Sequence, residues 1–595
     1  MGKKNLIYSA LTRVAVLLPS VFCAFSGVAQ TSLSERLNYV LEAQDMNMGL
    51  KLYNEITEND LKQLPDSVLF NYHYLGGYLN SAMCHDDNPD SPHLDVEPNH
   101  KISIEHLLEA QDLCEKSLGI HSVGYIEIMR GLGEEYLEIG EYNLALQAFQ
   151  DGIVKAIYVR NIWPKAFGNL IIGVQECYER MGWYSEIPGH LYDAWSFWTK
   201  DDAPFTVNNY FPLWNLHQFY HRYAMYEKAI KVSDEIIDFI TTTVGPTHPD
   251  LAEELYFRGN TFSDMGNFKD AIEAYRKSIS ILESNQLELN EEYCYNSVLG
   301  NLLLTLISTE KWDESKVIMN KIQRYGNKIG DEEIYNSILT AVAFTLCNNG
   351  FYDKALSVNT ELLGRSLSNE RKQTAESQRE EILFSQEVID AIPELEILLK
   401  NTSVASNEWF DIAFKLTSAY FRKKDSEKSI ALLISMYQAI TRNNSAKDEY
   451  YFSIVGALFN ICLEKGDYDL ALKYAIEKQE YISAIPDVPE RFRFDCMNNI
   501  VVAKLKSNKL DGIFEDWSVA AQLCRNVFGE ESEVYAIQLH NKGRALQLEH
   551  KYDDAKQHYL DAIALHTKVK GKPMPNTVQY LIETENQIVE HELDL

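Results

Sequence analysis

The chain has 595 residues, with 55 Lys and Arg against 87 Asp and Glu, for a formal net charge of −32. Such a balance excludes nucleic acid as a partner, because a phosphate backbone demands a basic surface, and it keeps a long surface soluble. The nine cysteines stand singly among apolar residues with no C-x-x-C pair, which argues against a disulfide framework, a zinc site or any other metal.

In chain order, Lys3, Lys4 and Arg13 precede an apolar stretch from Val14 to Phe25 and the small residues Ser26, Gly27 and Ala29. That order predicts a signal peptide over 1–29, cut after Ala29, and a periplasmic or secreted mature chain. Cys23 follows the bulky Phe22 where a lipoprotein signal wants a small residue, so lipidation is not expected. No later stretch is apolar enough for a transmembrane segment. Residues 30–118 read as a helical region interrupted by an acidic, proline-bearing loop, 85–100.

Beyond it a ruler emerges. Tyr142, Tyr184, Tyr226 and Phe268 fall at intervals of 42, and Ser426, Tyr468, Leu510 and Tyr552 repeat the interval. Most have a small residue two before and an alanine three after. Self-similarity at this period means units that bury their apolar faces only by stacking. The segment Leu132 to Ile153 shows the unit best: two amphipathic helices broken at Gly140. Leu132 opens the pattern, and Gly133, Tyr136, Gly140, Tyr142, Ala145 and Phe149 recur as Gly259, Phe262, Gly266, Phe268, Ala271 and Tyr275, and again around Tyr468 and Ala471 and around Tyr552 and Ala555. A mid-helix glycine such as Gly133 costs roughly 0.5–1 kcal/mol against alanine and persists where helices approach closely. The large residues are read as architecture that fills the space between hairpins.

These residues resemble the tetratricopeptide repeat in its long-helix variety, similar to kinesin light chains and to the arrays attached to bacterial CHAT peptidases. The resemblance implies an all-α superhelix of antiparallel helix pairs, a right-handed solenoid. Gly119, Gly245 and Gly529 each stand 23 residues before an anchor, as that variety's linkers do. Weaker units centre on Trp312 and Tyr352. The expected organisation is array I over 119–364, a degenerate repeat or joint over 365–408, array II over 409–570, and a capping helix over 571–595. The joint is placed where Tyr352 and Ser426 are 74 residues apart and Pro393 intervenes.

In this family the first helix of each hairpin lines the concave face. Carried over, the register assigns Arg130, Glu134, Glu176, Trp214, Gln218, His221, Arg222, Tyr256 and Asn260 to a partner-binding groove, with a sparser set, Phe414, Phe421, Arg422, Asn460, His540 and Arg544, further on. An aromatic anchor among amides and charges of both signs suits a protein or peptide ligand. Asn260 matches a backbone-binding asparagine of the family, but the basic partners of a carboxylate clamp are missing. His217 and His221 have a helical metal spacing without a third ligand. The leading reading is an exported, non-enzymatic scaffold in an envelope-associated complex. One alternative is a nutrient binder similar to SusD-like glycan-binding proteins; another is the regulatory arm of a separate catalytic or sensor protein. No G-x-S-x-G elbow, H-E-x-x-H or phosphate loop occurs, so no catalytic residue and no cofactor is expected.

Overall fold

The computed structural model describes residues 36–37, 46–62, 64–81, 99–156, 164–199, 210–288, 294–329, 332–442 and 449–593. The expected signal peptide and loop residues 85–98 lie outside the described residues. Every regular element described is an α-helix, and none is long and apolar enough to cross a membrane.

The chain divides into two compact units, 1–216 and 217–595. The first contains α1 (Met46–Glu55), α2 (Glu58–Leu61), α3 (Asp66–Asn80), α4 (His100–Ser117), α5 (Val123–Glu138), α6 (Tyr142–Ala156), α7 (Pro164–Met181) and α8 (Glu186–Thr199). Helix α9 (Phe211–Arg222) carries the boundary. The second unit continues with α10 (Tyr226–Val244), α11 (Pro249–Asp264), α12 (Phe268–Ser284), α13 (Tyr295–Ser308), α14 (Trp312–Ile329), α15 (Glu332–Asn348) and α16 (Tyr352–Leu363). Next come α17 (Asn369–Asp390), α18 (Ile392–Asn401), α19 (Asn407–Arg422), α20 (Ser426–Arg442), α21 (Glu449–Glu464) and α22 (Tyr468–Ser483). It ends with α23 (Glu490–Ser507), α24 (Ile513–Phe528), α25 (Glu533–Leu548), α26 (Tyr552–Lys570) and α27 (Pro575–Leu593). The expected joint at 365–408 lies inside this second unit.

Helices pair as antiparallel hairpins, and one backbone device closes most of them. Two residues before each anchor the chain turns left-handed: Gly140, Gly182, Gly266, Gly350 and Gly466 have φ between +76° and +81°. Ala224, Glu310, Lys424, Asn508 and His550 adopt the same region at +55° to +62°. There the following N–H reaches back over the helix end, as when Glu141 donates to the Tyr136 carbonyl at 2.9 Å and Asn267 to that of Phe262 at 2.8 Å. This satisfies carbonyls that the helix leaves open. The small residue of the sequence pattern is therefore a conformational requirement, met by non-glycine residues at a cost of roughly 1–2 kcal/mol each.

The alanines three after the anchors, Ala145, Ala229, Ala271, Ala355, Ala471 and Ala555, are fully buried. The anchors Tyr142, Phe268, Tyr468 and Tyr552 are only half-buried, whereas the residues seven further on, Phe149, Tyr275 and Tyr559, are enclosed. Leu132 and Gly133 are buried beside Phe149, and Tyr136 is half-buried. A Cβ on Gly133 or on Gly173 would stand 2.5 Å from the Phe149 ring, so two hairpins clamp one phenyl between bare backbones. Gly259 meets Tyr275 in the same way, at 2.4 Å.

One hairpin departs from this plan. Helix α17 passes into α18 through Ala391, which stays right-handed at φ −73°, with Pro393 in the first turn of α18. No left-handed residue stands there, and Ile392 begins α18 where an aromatic anchor is absent. Ile392 still packs with Leu416, Ala419 and Tyr420, so the core continues through the irregular unit. The flanking turns meet directly: the Tyr352 hydroxyl donates to the Arg422 carbonyl at 3.1 Å.

Candidate partner-binding face

First-helix residues of the second unit build a continuous polar seam. Helix α9 places His217 and His221 one turn apart, facing α11. His217 Nδ1 lies 2.9 Å from Glu254 Oε1, and its Nε2 lies 3.0 Å from the Thr261 hydroxyl. The same hydroxyl lies 3.0 Å from His221 Nδ1, and His221 Nε2 lies 3.3 Å from Asp264. His217, Glu254 and Thr261 are completely or almost completely buried. A hydrogen-bonded pair so enclosed needs its geometry intact, because a buried polar group left without its partner is strongly disfavoured. Among the described residues no three His, Cys, Asp or Glu side chains group to hold a metal ion.

One step along the stack, Asn260 is fixed from two sides. The Tyr275 hydroxyl donates to its Oδ1 at 2.8 Å, and the Asn301 amide donates to the same atom at 2.7 Å. Tyr256 leans on Tyr275, ring centroids 6.4 Å apart, and burial raises its phenol above the ordinary value. Glu253 is pushed up to about 7 by burial, reinforced by the negative charges of Asp250 and Glu254. Its carboxyl therefore titrates near neutrality.

The predicted groove residues divide between the two units. In the first, Arg130 is 8% exposed and bridges Glu127 at 2.9 Å and Glu134 at 2.7 Å. Two carboxylates hold its guanidinium there. Glu176 pairs with Arg180 at 3.2 Å on exposed surface. Trp214 is half-buried and stacks on Phe211, with centroids 6.0 Å apart. In the second unit, His221, Tyr256 and Asn260 come together through Thr261, Asp264 and Asn301, with half-buried Gln218 and exposed Arg222 on the same helix as His221.

Further along, the Arg544 guanidinium lies 4.5 Å from the Tyr580 ring centroid and donates to Gln547 at 2.8 Å. His540 sits 2.9 Å from Thr577, and burial, aided by the Arg544 and Lys506 charges, lowers it to about 4. On the second-helix side, a cleft of 630 Å³ between α12 and α14 is floored by Leu302 and Leu306. It is bridged by the pairs Lys321–Glu283, at 2.6 Å, and Arg276–Glu314.

Sequence reasoning missed Glu254, Thr261 and Asn301, which orient the predicted residues from packed positions. It also missed two exposed rings, Phe344 and Phe384. Counting back from Tyr352 as Asn260 is counted from Phe268 reaches Phe344; Phe384 belongs to the unit without an anchor and had no such signal.

The tetratricopeptide repeat family pattern matches residues 211–284, covering α9 to α12 and most of this seam. Residues 211–284 are tetratricopeptide repeats. No curated protein matches the chain. Similar solved structures include the nearly identical TPR-like repeats of a putative kinesin light chain from Podospora anserina, at 11% identity over 39% of this chain and 95% of that one, TM-score 0.27. The quorum sensor NprR of B. thuringiensis in its apo form matches at 13% identity over 55% and 84%, TM-score 0.30. Aspartyl phosphate phosphatase F of Bacillus subtilis matches at 15% identity over 70% and 96%, TM-score 0.34. Likeness at this level carries no argument about ligand or activity. The tetratricopeptide-repeat fold is consistent with protein–protein interaction.

Proposed function

We propose that the chain is an exported, non-enzymatic scaffold that binds a protein or peptide partner on the first-helix face of its tetratricopeptide repeats. The contact set in the second unit is Gln218, His221, Arg222, Tyr256 and Asn260. What supports this reading is the pre-ordering of that face: Asn260 and His221 are held by side chains behind them before any ligand arrives. A surface whose rotamers are already fixed loses little entropy on binding. Arg222 supplies an exposed charge at the margin.

Affinity capture tests it, with the purified chain as bait in an envelope extract and a Gln218→Ala, Arg222→Glu variant beside it. Loss of the captured protein in the variant, with unchanged thermal unfolding, is the expected result. Equal recovery from both removes this face from the function. Export is tested separately: the intact mass of the chain recovered from its native host should lack residues 1–29, and a full-length mass would end that part of the reading.

A further inference from the structure

We propose that the irregular stretch of the second unit carries a distinct docking surface for a peptide segment that presents large apolar side chains beside carboxylates. The inference shares with the preceding reading only the premise that the chain binds peptides. It starts from three rings that the fold leaves uncovered. Phe344 on α15, Phe384 on α17 and Phe421 on α19 are 61%, 53% and 67% exposed, on three first helices around the hairpin that lacks the usual turn. Exposed apolar patches with a polar margin mark interaction sites.

Two of these rings, Phe384 and Phe421, stand beside basic side chains of one turn, and Phe344 lies on the next first helix. The Arg422 guanidinium lies 4.9 Å from the Phe384 ring centroid and donates to Glu381 at 2.9 Å and to Ser385. Those bonds fix the position of α17 against α19. Lys424 Nζ lies 5.6 Å from the Phe421 ring, and its stem reaches the Gly350 turn, where a Cβ would stand 3.2 Å from Lys424 Cγ. Cys347, one turn beyond Phe344, is close enough to feel the charges of Glu381, Arg422 and Lys424. The 350 and 424 turns meet across the hairpin that lacks the usual turn.

Charge decides the occupant. Arg422 is committed to Glu381, but Lys423 and Lys424 are exposed and have no acidic partner among the described residues. In a chain with 87 acidic against 55 basic residues, Arg422, Lys423 and Lys424 form the one run of three consecutive basic residues among the described residues, and its two ammonium groups have no carboxylate partner there. Carboxylates of a ligand complete them, and its apolar side chains cover the rings. An anionic bilayer offers the same two chemistries, yet a net charge of −32 opposes its approach.

A random linear-peptide phage selection on the full chain, followed by fluorescence anisotropy of the selected peptides, tests the proposal. Selected peptides should combine Leu, Ile or Phe with Asp or Glu. They should bind Phe384→Ser, and a Lys423→Glu, Lys424→Glu variant, at least about tenfold more weakly, the scale of a lost hot spot. Because all three positions are exposed, both variants should keep the parent unfolding temperature. Where the double variant does not, Lys423→Glu alone is measured.

Peptides without acidic residues, or affinities unchanged in both variants, overturn the proposal. Peptides weakened by Arg222→Glu but not by Phe384→Ser overturn it while leaving the scaffold reading intact. Selection that yields no binding peptide overturns it, while the scaffold reading, which also admits a folded protein partner, stands or falls on the affinity capture. Co-sedimentation with phosphatidylserine vesicles that is abolished by Lys423→Glu, Lys424→Glu, without any peptide binding, assigns this surface to a membrane and also overturns the proposal.

Discussion

Two stretches of the second unit solve the same stacking problem differently. From α9 to α12 the left-handed turn residues Ala224 and Gly266 precede their anchors, and the polar side chains of the first-helix face are tied to one another. From α15 to α19 one hairpin has lost its turn at Ala391, the flanking turns touch, and three phenylalanines face outward. Side chains bond between first helices in both stretches, His217, Thr261 and Asn301 in the regular one and Arg422 to Glu381 in the irregular one. The irregular hairpin keeps the apolar core through Ile392 but leaves its face unfinished. The difference separates residues that stabilise the stack from residues free for a partner.

The sharpest way to break the ordered half of this contrast is His217→Leu. It strands the Glu254 carboxylate, which is 1% exposed, without its imidazole. Removing one partner of a buried hydrogen bond so that the other is left unsatisfied costs about 1–3 kcal/mol, and more where the orphan is charged, and urea unfolding should show at least the upper part of that range. A loss under about 1 kcal/mol, as for exposed pairs, would mean that Glu254 finds water. Gly259→Ala follows. Its Cβ would stand 2.4 Å from Tyr275 Cε1 in a ring that is 1% exposed and cannot swing away. Overpacking of this kind costs about 1–3 kcal/mol. Gly456→Ala is the control, because its Cβ meets only the flexible end of Lys478, at 3.3 Å.

Much of this was legible in the chain. The 42-residue ruler located nearly every hairpin because a left-handed turn, a buried alanine and a clamped ring each demand a narrow choice of residue. Gly133, Ala145 and Phe149 could be read for that reason. The binding face was harder to read, since position on a helix does not say whether a side chain is already engaged. The register assigns Arg130 to the groove but cannot show that Glu127 and Glu134 hold it, and Thr261 drew no notice because a threonine in a helix has no signature. Ile392 was hidden by its own irregularity: the ruler runs 40 residues from Tyr352 to it and 34 from it to Ser426.

A smaller effect separates the stretches by pH. The Glu253 carboxyl, facing Asp250, Glu254 and the Cys294 thiol, is raised from 4.5 to about 7 in the folded chain. The folded state thus holds this proton more tightly than the unfolded state does. Its contribution is complete below pH 4.5 and is lost as pH rises through about 7. Glu253→Gln should therefore be more stable than the parent at pH 8 by about 1–2 kcal/mol, allowing for partial contact with solvent, and equal to it at pH 4. Parallel stability curves for the two proteins across that range would show that the carboxyl is ordinary.

The smallest expected effect is the most informative about the irregular half. Phe384 is 53% exposed, and its main company is the Arg422 guanidinium. Phe384→Ser removes a cation–ring contact of about 0.5–1 kcal/mol at an exposed site while relieving water of an apolar surface, so the unfolding midpoint should move by no more than about 0.5 kcal/mol in equivalent stability. Tyr275→Ser, the same change at an enclosed ring of the regular half, should cost about 3–5 kcal/mol. If Phe384→Ser approached that figure, the ring would be part of the stack and the outward face of α17 would be architecture after all. A near-zero value leaves a large aromatic side chain that the fold does not need, positioned by Arg422 and flanked by two uncompensated lysines.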